Sequence, residues 1–234
     1  AEVVGDHARV RTFGTYGDLE AKNVFVDREG TRFDLGDESF RLNVYGVVHV
    51  ANALGALLAL EAAGYSRDSV RTGIEAFEGV RGRFEVVARE PFVVVDYAHT
   101  PDGLRGTLRT ARTIADTTGG RVHVVFGCGG RRDRGKRSEM GAIADAMSDR
   151  VVVTSDNPRD EDPIAIIGDI MAGLEPSVPW VEELDRRRGI ELGLKDASTR
   201  DVVVIAGKGH ESEQELADRT IPFDDAAVVR DLLA

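Results

Sequence analysis

A single cysteine, Cys128, excludes an intrachain disulfide, which fits a reducing compartment. Positive charge is outnumbered, with 30 Lys and Arg against 41 Asp and Glu. The formal net charge of -11 argues against broad, sequence-independent binding of nucleic acid, which needs a positive face. Long apolar runs are missing too. The longest, residues 47–60, contains His49 and Asn52 and falls short of the roughly 20 residues that span a bilayer. No secretory signal pattern opens the chain, so we expect a cytoplasmic protein without a membrane partner. Nowhere is there a glycine followed after four residues by Gly-Lys-Ser/Thr, the phosphate loop of many ATPases. The chain begins with Ala1 rather than methionine, and we expect it to have been processed or cut from something longer. What is there is 42% hydrophobic and 30% charged, the balance of a soluble globular protein of one or two domains.

Two stretches differ in grammar. In residues 1–44, short strands are predicted at 23–26 and 31–35, around turn residues 27–30, a hairpin signal, and again at 40–45. Helices follow over 50–64, with Gly64 as C-cap, and over 68–77. This half reads as starting mid-fold. From Pro91 onward, apolar strands at 92–95, 122–126, 151–154, 179–181 and 202–206 alternate with helices at 102–117, 136–147, 163–174 and 185–195. That alternation predicts a doubly wound, mostly parallel, Rossmann-like α/β sheet. Residues 219–221 are expected to add an edge strand and 224–233 a last helix. The boundary is placed near residues 88–91, giving a truncated α/β remnant at 1–90 and a second domain at 91–234. Trp180 and the nine phenylalanines are assigned to the core.

The densest chemistry lies in residues 124–137, VVFGCGGRRDRGKR. An apolar run ends in four small residues, then in Arg131, Arg132, Arg134, Lys136 and Arg137, with only Asp133 interleaved. The glycines permit close backbone approach to a ligand. Cations at a helix start oppose the macrodipole, which favours an anion site over a merely solvated turn. Open α/β folds bind ligands outside the carboxyl ends of their strands. The next strand ends in Asp156-Asn157-Pro158-Arg159 and the last in Gly207-Lys208-Gly209-His210-Glu211. We therefore expect three strand ends to converge so that Arg132, Arg159 and Glu211 face one pocket. Arg159 can grip a carboxylate through two parallel hydrogen bonds, although composition alone favours a proline-fixed turn with exposed charges. Glu211 can take an ammonium. His210 is a proton carrier or a polar loop residue. Asp96, Tyr97, His99 and Thr100 end the first strand of the second half. Asp96 there either holds a ribose hydroxyl or shares with Thr100 the bland role of capping the next helix. Cys128 reads as a small buried filler.

Together these loops resemble those of the Mur ligases, ATP-dependent enzymes that add amino acids to the peptidoglycan precursor, and within them the branch that adds meso-diaminopimelate. The resemblance rests on Gly82-Arg83-Phe84-Glu85, the segment from Val95 to Asp102, the basic loop, Asp156 to Arg159, Gly207 to Glu211, Asp185-Arg186 and Phe223-Asp224-Asp225, in the family's order. It implies that Arg83 contacts ATP phosphates and Asp96 the ribose, that Tyr97 and His99 lie near the nucleotide, and that Asn52 lies near its base. It further implies that Arg132, Asp156, Asn157, Arg159, Gly207 and Glu211 surround the incoming amino acid, with Arg159 selecting its distal carboxylate. ATP and Mg2+ are the implied cofactors of the intact enzyme, with the magnesium ligands and the catalytic residues outside this chain. UDP-N-acetylmuramoyl-L-alanyl-D-glutamate and meso-diaminopimelate are the implied substrates, and a monomer the implied state. Without a phosphate loop the 234 residues are expected to have no turnover alone. His49, Arg131 and Gly189 depart from the family's usual residues. Alternatives are another Mur-like amide ligase of the cyanophycin or folylpolyglutamate type, which acceptor choice would separate, and a non-catalytic amino-acid-binding module, which the DNA upstream of Ala1 would reveal.

Overall fold

The structure, a computed structural model, describes residues 10–14, 16–175 and 177–234. It divides into two compact units, Ala1–Gly79 and Val80–Ala234. In the first, strands β1 (Lys22–Asp27), β2 (Gly30–Leu35) and β3 (Glu38–Leu42) form an antiparallel meander. Asp27 Oδ1 accepts the Glu29 amide at 2.7 Å and shapes the first turn. Helices α1 (Val48–Ala62) and α2 (Arg67–Glu75) follow. Leu35, Leu42, Leu54, Leu57 and Val70 pack around Phe33 and Phe40, whose rings stack 5.1 Å apart. Ser66 caps α2 by accepting the Ser69 amide, the bond an N-cap hydroxyl is suited to make. Asn52 sits on the exposed side of α1.

The second unit is built on a six-stranded sheet. In chain order its elements are β4 (Glu85–Arg89), β5 (Phe92–Asp96), α3 (Pro101–Thr118), β6 (Val122–Phe126), α4 (Gly135–Met147), β7 (Arg150–Thr154), α5 (Pro163–Met171), β8 (Trp180–Glu183), α6 (Arg186–Lys195), β9 (Val202–Ala206), β10 (Glu213–Glu215), β11 (Thr220–Pro222) and α7 (Asp225–Leu232). The strand order is β4-β5-β9-β6-β7-β8. Only β4 runs antiparallel to its neighbour. Every residue of β6 and β9 is buried, as expected when helices cover both faces of a parallel sheet. Val93, Val95, Val125, Val203 and Ile205 pack with Ile190 of α6 and Val229 of α7. The alternating residues Val94, Val124 and Val204 are equally buried, on the side where α3, α4 and α5 meet the sheet. In register, Asp96 and Phe126 both pair with Ala206, and Phe126 pairs with Val153. Four strands thus end almost level, which makes a shared site geometrically available.

The structure departs from the sequence reading at four places. The unit boundary falls at Gly79/Val80 rather than near residues 88–91, because Glu85–Arg89 pairs with β5 as the sheet's outer strand. That strand is only half-buried, so its apolar signal is diluted. Residues 220–222 do not extend the large sheet; they pair with β10 in a separate two-stranded ribbon. Trp180 is 42% exposed on the outer strand β8, and Phe13, Phe25 and Phe77 are also exposed rather than in the core. The fourth departure concerns the basic stretch and is taken up with the site.

Candidate functional site

A cavity of ≈ 520 Å³ opens at the carboxyl ends of β5, β6, β7 and β9, lined among others by Tyr97, His99, Arg132, Asp156, Asn157, Arg159, Gly207 and Glu211. The expected convergence of Arg132, Arg159 and Glu211 is therefore present. The proline-fixed turn also exists, but Asp156 and Asn157 are buried within it. Gly207 has to be glycine on two counts. Its φ is +116°, and a Cβ there would lie 2.5 Å from Asp156 Oδ2, a backbone state and a space that only glycine tolerates.

An ionic network underlies the pocket. Lys208, fully buried, donates from Nζ to Asn157 Oδ1 at 2.9 Å and to Glu211 Oε2 at 3.2 Å. Asn157 Nδ2 donates to the same Glu211 oxygen at 2.8 Å. This fixes the Asn157 amide in one orientation and leaves Glu211 Oε1 without a hydrogen bond from either. A lysine is almost never fully buried unless paired, so Lys208, a cation the sequence places in this loop without a ligand role, belongs to the framework of the site. The cue was its place directly after Gly207, where an apolar strand ends. Beneath it, Arg186 donates to both carboxyl oxygens of Asp225 at 2.8 and 2.7 Å and to the carbonyls of Ser155 and Ala206 at 3.1 Å. It thereby ties the ends of β7 and β9 together. Asp156 receives no side-chain hydrogen bond from the described residues. Burial pushes its carboxyl above the ordinary carboxylate range. Arg186 and Lys208 pull against that, while Glu211 and Asp225 reinforce it.

Nearer solvent lies an aromatic cluster. The exposed Arg83 guanidinium stands 4.3 Å over the Tyr97 ring, and the His99 and His210 rings lie 4.4 and 5.3 Å from it. Asp96 accepts the Phe84 amide at 2.6 Å, the Ala98 amide at 2.9 Å and the Thr107 hydroxyl at 2.8 Å. Thr100, not Asp96, caps α3 through the Gly103 amide. Asp96 is thus the clasp between the end of β5 and the Arg83–Phe84 turn. Asn52 belongs to the other unit and is not among the residues gathered here.

The basic stretch is mostly internal wiring. Arg131 pairs with Asp160, Arg134 with Glu161 at 3.1 Å, and the fully buried Arg137 with Glu161 and Asp169 at 3.0 and 2.9 Å. Lys136 donates to the His99 carbonyl at 2.6 Å. Only Arg132 of the five makes no hydrogen bond or ion pair among the described residues, and it faces the pocket. The stretch therefore offers a ligand Arg132 and also Lys136, which lines the pocket and holds only a backbone carbonyl, while Asp160, Glu161 and Asp169 satisfy the other three. Burial pushes the Cys128 thiol up to about 12, which suits a filler and not a nucleophile.

A pocket lined by Arg132, Lys136 and Arg159 together with Asp133, Glu139, Asp156 and Glu211 carries both signs of charge, which matches a small zwitterion better than a simple anion. Among the described residues no group of three or more His, Cys, Asp or Glu could hold a metal ion. No described helix is long and apolar enough to cross a membrane.

Residues 82–209 match the family model described as Mur ligase, glutamate ligase domain. The UDP-N-acetylmuramoyl-L-alanyl-D-glutamate–2,6-diaminopimelate ligase of Ralstonia nicotianae is 44% identical over 98% of this chain and 46% of its own length. The enzyme of that name from Clostridium tetani is 42% identical over 93% and 46%. A solved structure of a UDP-N-acetylmuramoyl-L-alanyl-D-glutamate–2,6-diaminopimelate ligase shares the fold with a TM-score of 0.73 and 35% identity, over 96% of this chain and 47% of that one. The chain spans just under half the length of the curated relatives it matches. The matched family segment runs from the turn at Gly82 to the Gly207-Lys208-Gly209 loop and takes in the loops that build the pocket, so this chain belongs to the Mur ligase family.

Proposed function

We propose that this chain supplies amino-acid selection and part of the nucleotide site in a ligase that joins meso-diaminopimelate to UDP-N-acetylmuramoyl-L-alanyl-D-glutamate at the expense of ATP. The observation that carries the reading is the single cavity flanked by Arg132 and Arg159 on one hand and Asp156 and Glu211 on the other. An amino acid with a carboxylate and an ammonium at its far end needs both signs of charge at fixed separation, and an arginine offers the carboxylate a planar fork. The identity to ligases named for diaminopimelate supports the choice of amino acid.

In the reaction, the substrate carboxylate takes the γ-phosphoryl group and releases ADP. The free amine of diaminopimelate attacks the acyl carbon, phosphate leaves, the amine loses a proton, and an amide remains. On this reading the pocket binds the far end of diaminopimelate so that its near amine is aimed at the acyl-phosphate, an orientation effect. Arg83 and Tyr97 fit a nucleotide, as an exposed cation beside a stacking surface. Asp96, already accepting three hydrogen bonds, would reach a ribose hydroxyl only with its remaining acceptor capacity. ATP would supply the phosphoryl group that activates the carboxylate. We further place the protein in the cytoplasm, as a monomer without a nucleic-acid or membrane partner. The test is acceptor choice by the full-length ligase that contains this chain. ADP release should require diaminopimelate; equal turnover with lysine, arginine or glutamate would overturn the reading.

A further inference from the structure

Arg159 is not free to swing. Its Nε lies 2.7 Å from Glu215 Oε2 and its Nη2 3.4 Å from Glu215 Oε1, so Glu215 occupies the edge of the guanidinium that carries the Nε–H. Nη1 donates to the Gly130 carbonyl at 2.9 Å, with a longer 3.5 Å contact to the Asn157 carbonyl. Gly129 leaves room for this, since a Cβ there would stand only 3.1 Å from Nη1. A guanidinium has five N–H donors, and the second N–H of Nη2 has no acceptor among the described residues. The backbones are laced in the same way. The Arg159 amide donates to the Glu215 carbonyl at 3.1 Å, and the Glu215 amide donates to Asn157 Oδ1 at 3.1 Å. Gln214 Nε2 donates to the Asp156 carbonyl at 2.7 Å. These bonds hold Arg159 at φ +54°, a left-handed conformation that non-glycine residues adopt only when their surroundings fix it.

We propose that Glu215 is a positioning residue that sets selectivity: it fixes one edge of the Arg159 guanidinium so that the remaining N–H of Nη2 is presented to a carboxylate in the pocket. The inference deepens the function proposed above and rests on it. A carboxylate arriving at an arginine that is already held does not have to immobilise a long, mobile side chain, which is one of the ordinary costs of binding. An amino acid without a carboxylate at that end gains nothing from the fixing. Glu215 therefore acts on discrimination rather than on binding in general. Its side chain is 47% exposed and is not among the residues that line the cavity, so shortening it leaves the pocket walls in place.

The test uses the full-length ligase with Glu215→Ala and Glu215→Gln. It reads KM for diaminopimelate, KM for ATP, and the inhibition constant of lysine, which lacks the far carboxylate, against diaminopimelate. Glu215→Ala should raise KM for diaminopimelate about 3- to 10-fold with kcat, KM for ATP and lysine inhibition unchanged. Glu215→Gln, which keeps one acceptor oxygen, should fall between. A lower KM for diaminopimelate would show Glu215 competing with the substrate and would overturn the inference, as would no change, or equal losses for diaminopimelate and lysine. A wild-type enzyme that ignores diaminopimelate would sink the functional reading itself. One that uses it while the alanine variant is unmoved would sink only the role of Glu215.

Discussion

Two clusters share the carboxyl edge of one sheet and are built on opposite principles. Around Lys208, Arg186 and Asp225 the charges are buried and paired, with Asp156 buried among them. Around the half-buried Tyr97 ring, Arg83 and His99 are exposed and held by ring contacts. The first arrangement fixes side chains before a ligand arrives, at the cost of dehydrating ions. The second costs little to form and leaves its groups able to adjust. Buried networks of this kind are destabilising when half-complete, so the two clusters should answer to mutation very differently.

The largest difference should be in stability. Arg186→Met leaves Asp225 buried without its partner and should cost about 3–5 kcal/mol, read as a lower urea midpoint at unchanged slope. Arg83→Ala, at an exposed position, should stay within about 0.5 kcal/mol. Comparable losses from both would erase the contrast. Next comes ligand use. Arg159→Ala in the full-length ligase should lower kcat/KM for diaminopimelate by about 30- to 1000-fold, the equivalent of roughly 2–4 kcal/mol for truncating one partner of a buried charged contact. KM for ATP should hold. Equal damage to both substrates would contradict the assigned role. Tyr97→Ala should do the reverse on a smaller scale, raising KM for ATP about 3- to 10-fold while sparing the amino acid.

The smallest effect, and the most diagnostic of burial, concerns pH. The Asp156 carboxyl is held above its ordinary range by burial, against the pull of Arg186 and Lys208. A folded-state pKa raised above the unfolded one favours the folded state below the unfolded pKa, and that advantage is lost as pH rises through the folded value. Asp156→Asn should therefore be neutral or slightly stabilising at neutral pH. The same substitution should raise KM for diaminopimelate, because an amide cannot offset an ammonium. In the wild type, acidification through the raised pKa should weaken amino-acid binding, and the asparagine variant should lack that limb. Titration calorimetry across pH reads both.

Much of the second unit was legible because its strands are continuous apolar runs bounded by glycine-rich loops, and the register of a parallel sheet brings such loops together. Hence Arg132, Arg159 and Glu211 could be grouped from the strand ends, and the resemblance to the Mur ligases added Asp156, Asn157 and Gly207 to them. What stayed hidden is what tertiary pairing decides. Nothing local says that Lys208 is fully buried, since its partner Asn157 is 51 residues away. Nothing says that Glu215 engages Arg159 across 56 residues. The three-residue strand that carries Glu215 is too short to show a period. The five-cation run misled in the other direction, because Asp160, Glu161 and Asp169 absorb most of its charge from the following loop and helix. Asp96 looked equally suited to ribose or cap, and the Phe84 amide it accepts comes from a turn whose approach no sequence pattern announces.

The most direct measurement is a crystal structure of the full-length ligase with meso-diaminopimelate bound. The far carboxylate should lie on Arg159 and the far ammonium between Glu211 and Asp156. Density for the amino acid outside this pocket, or with its ammonium against Arg159, would contradict the account.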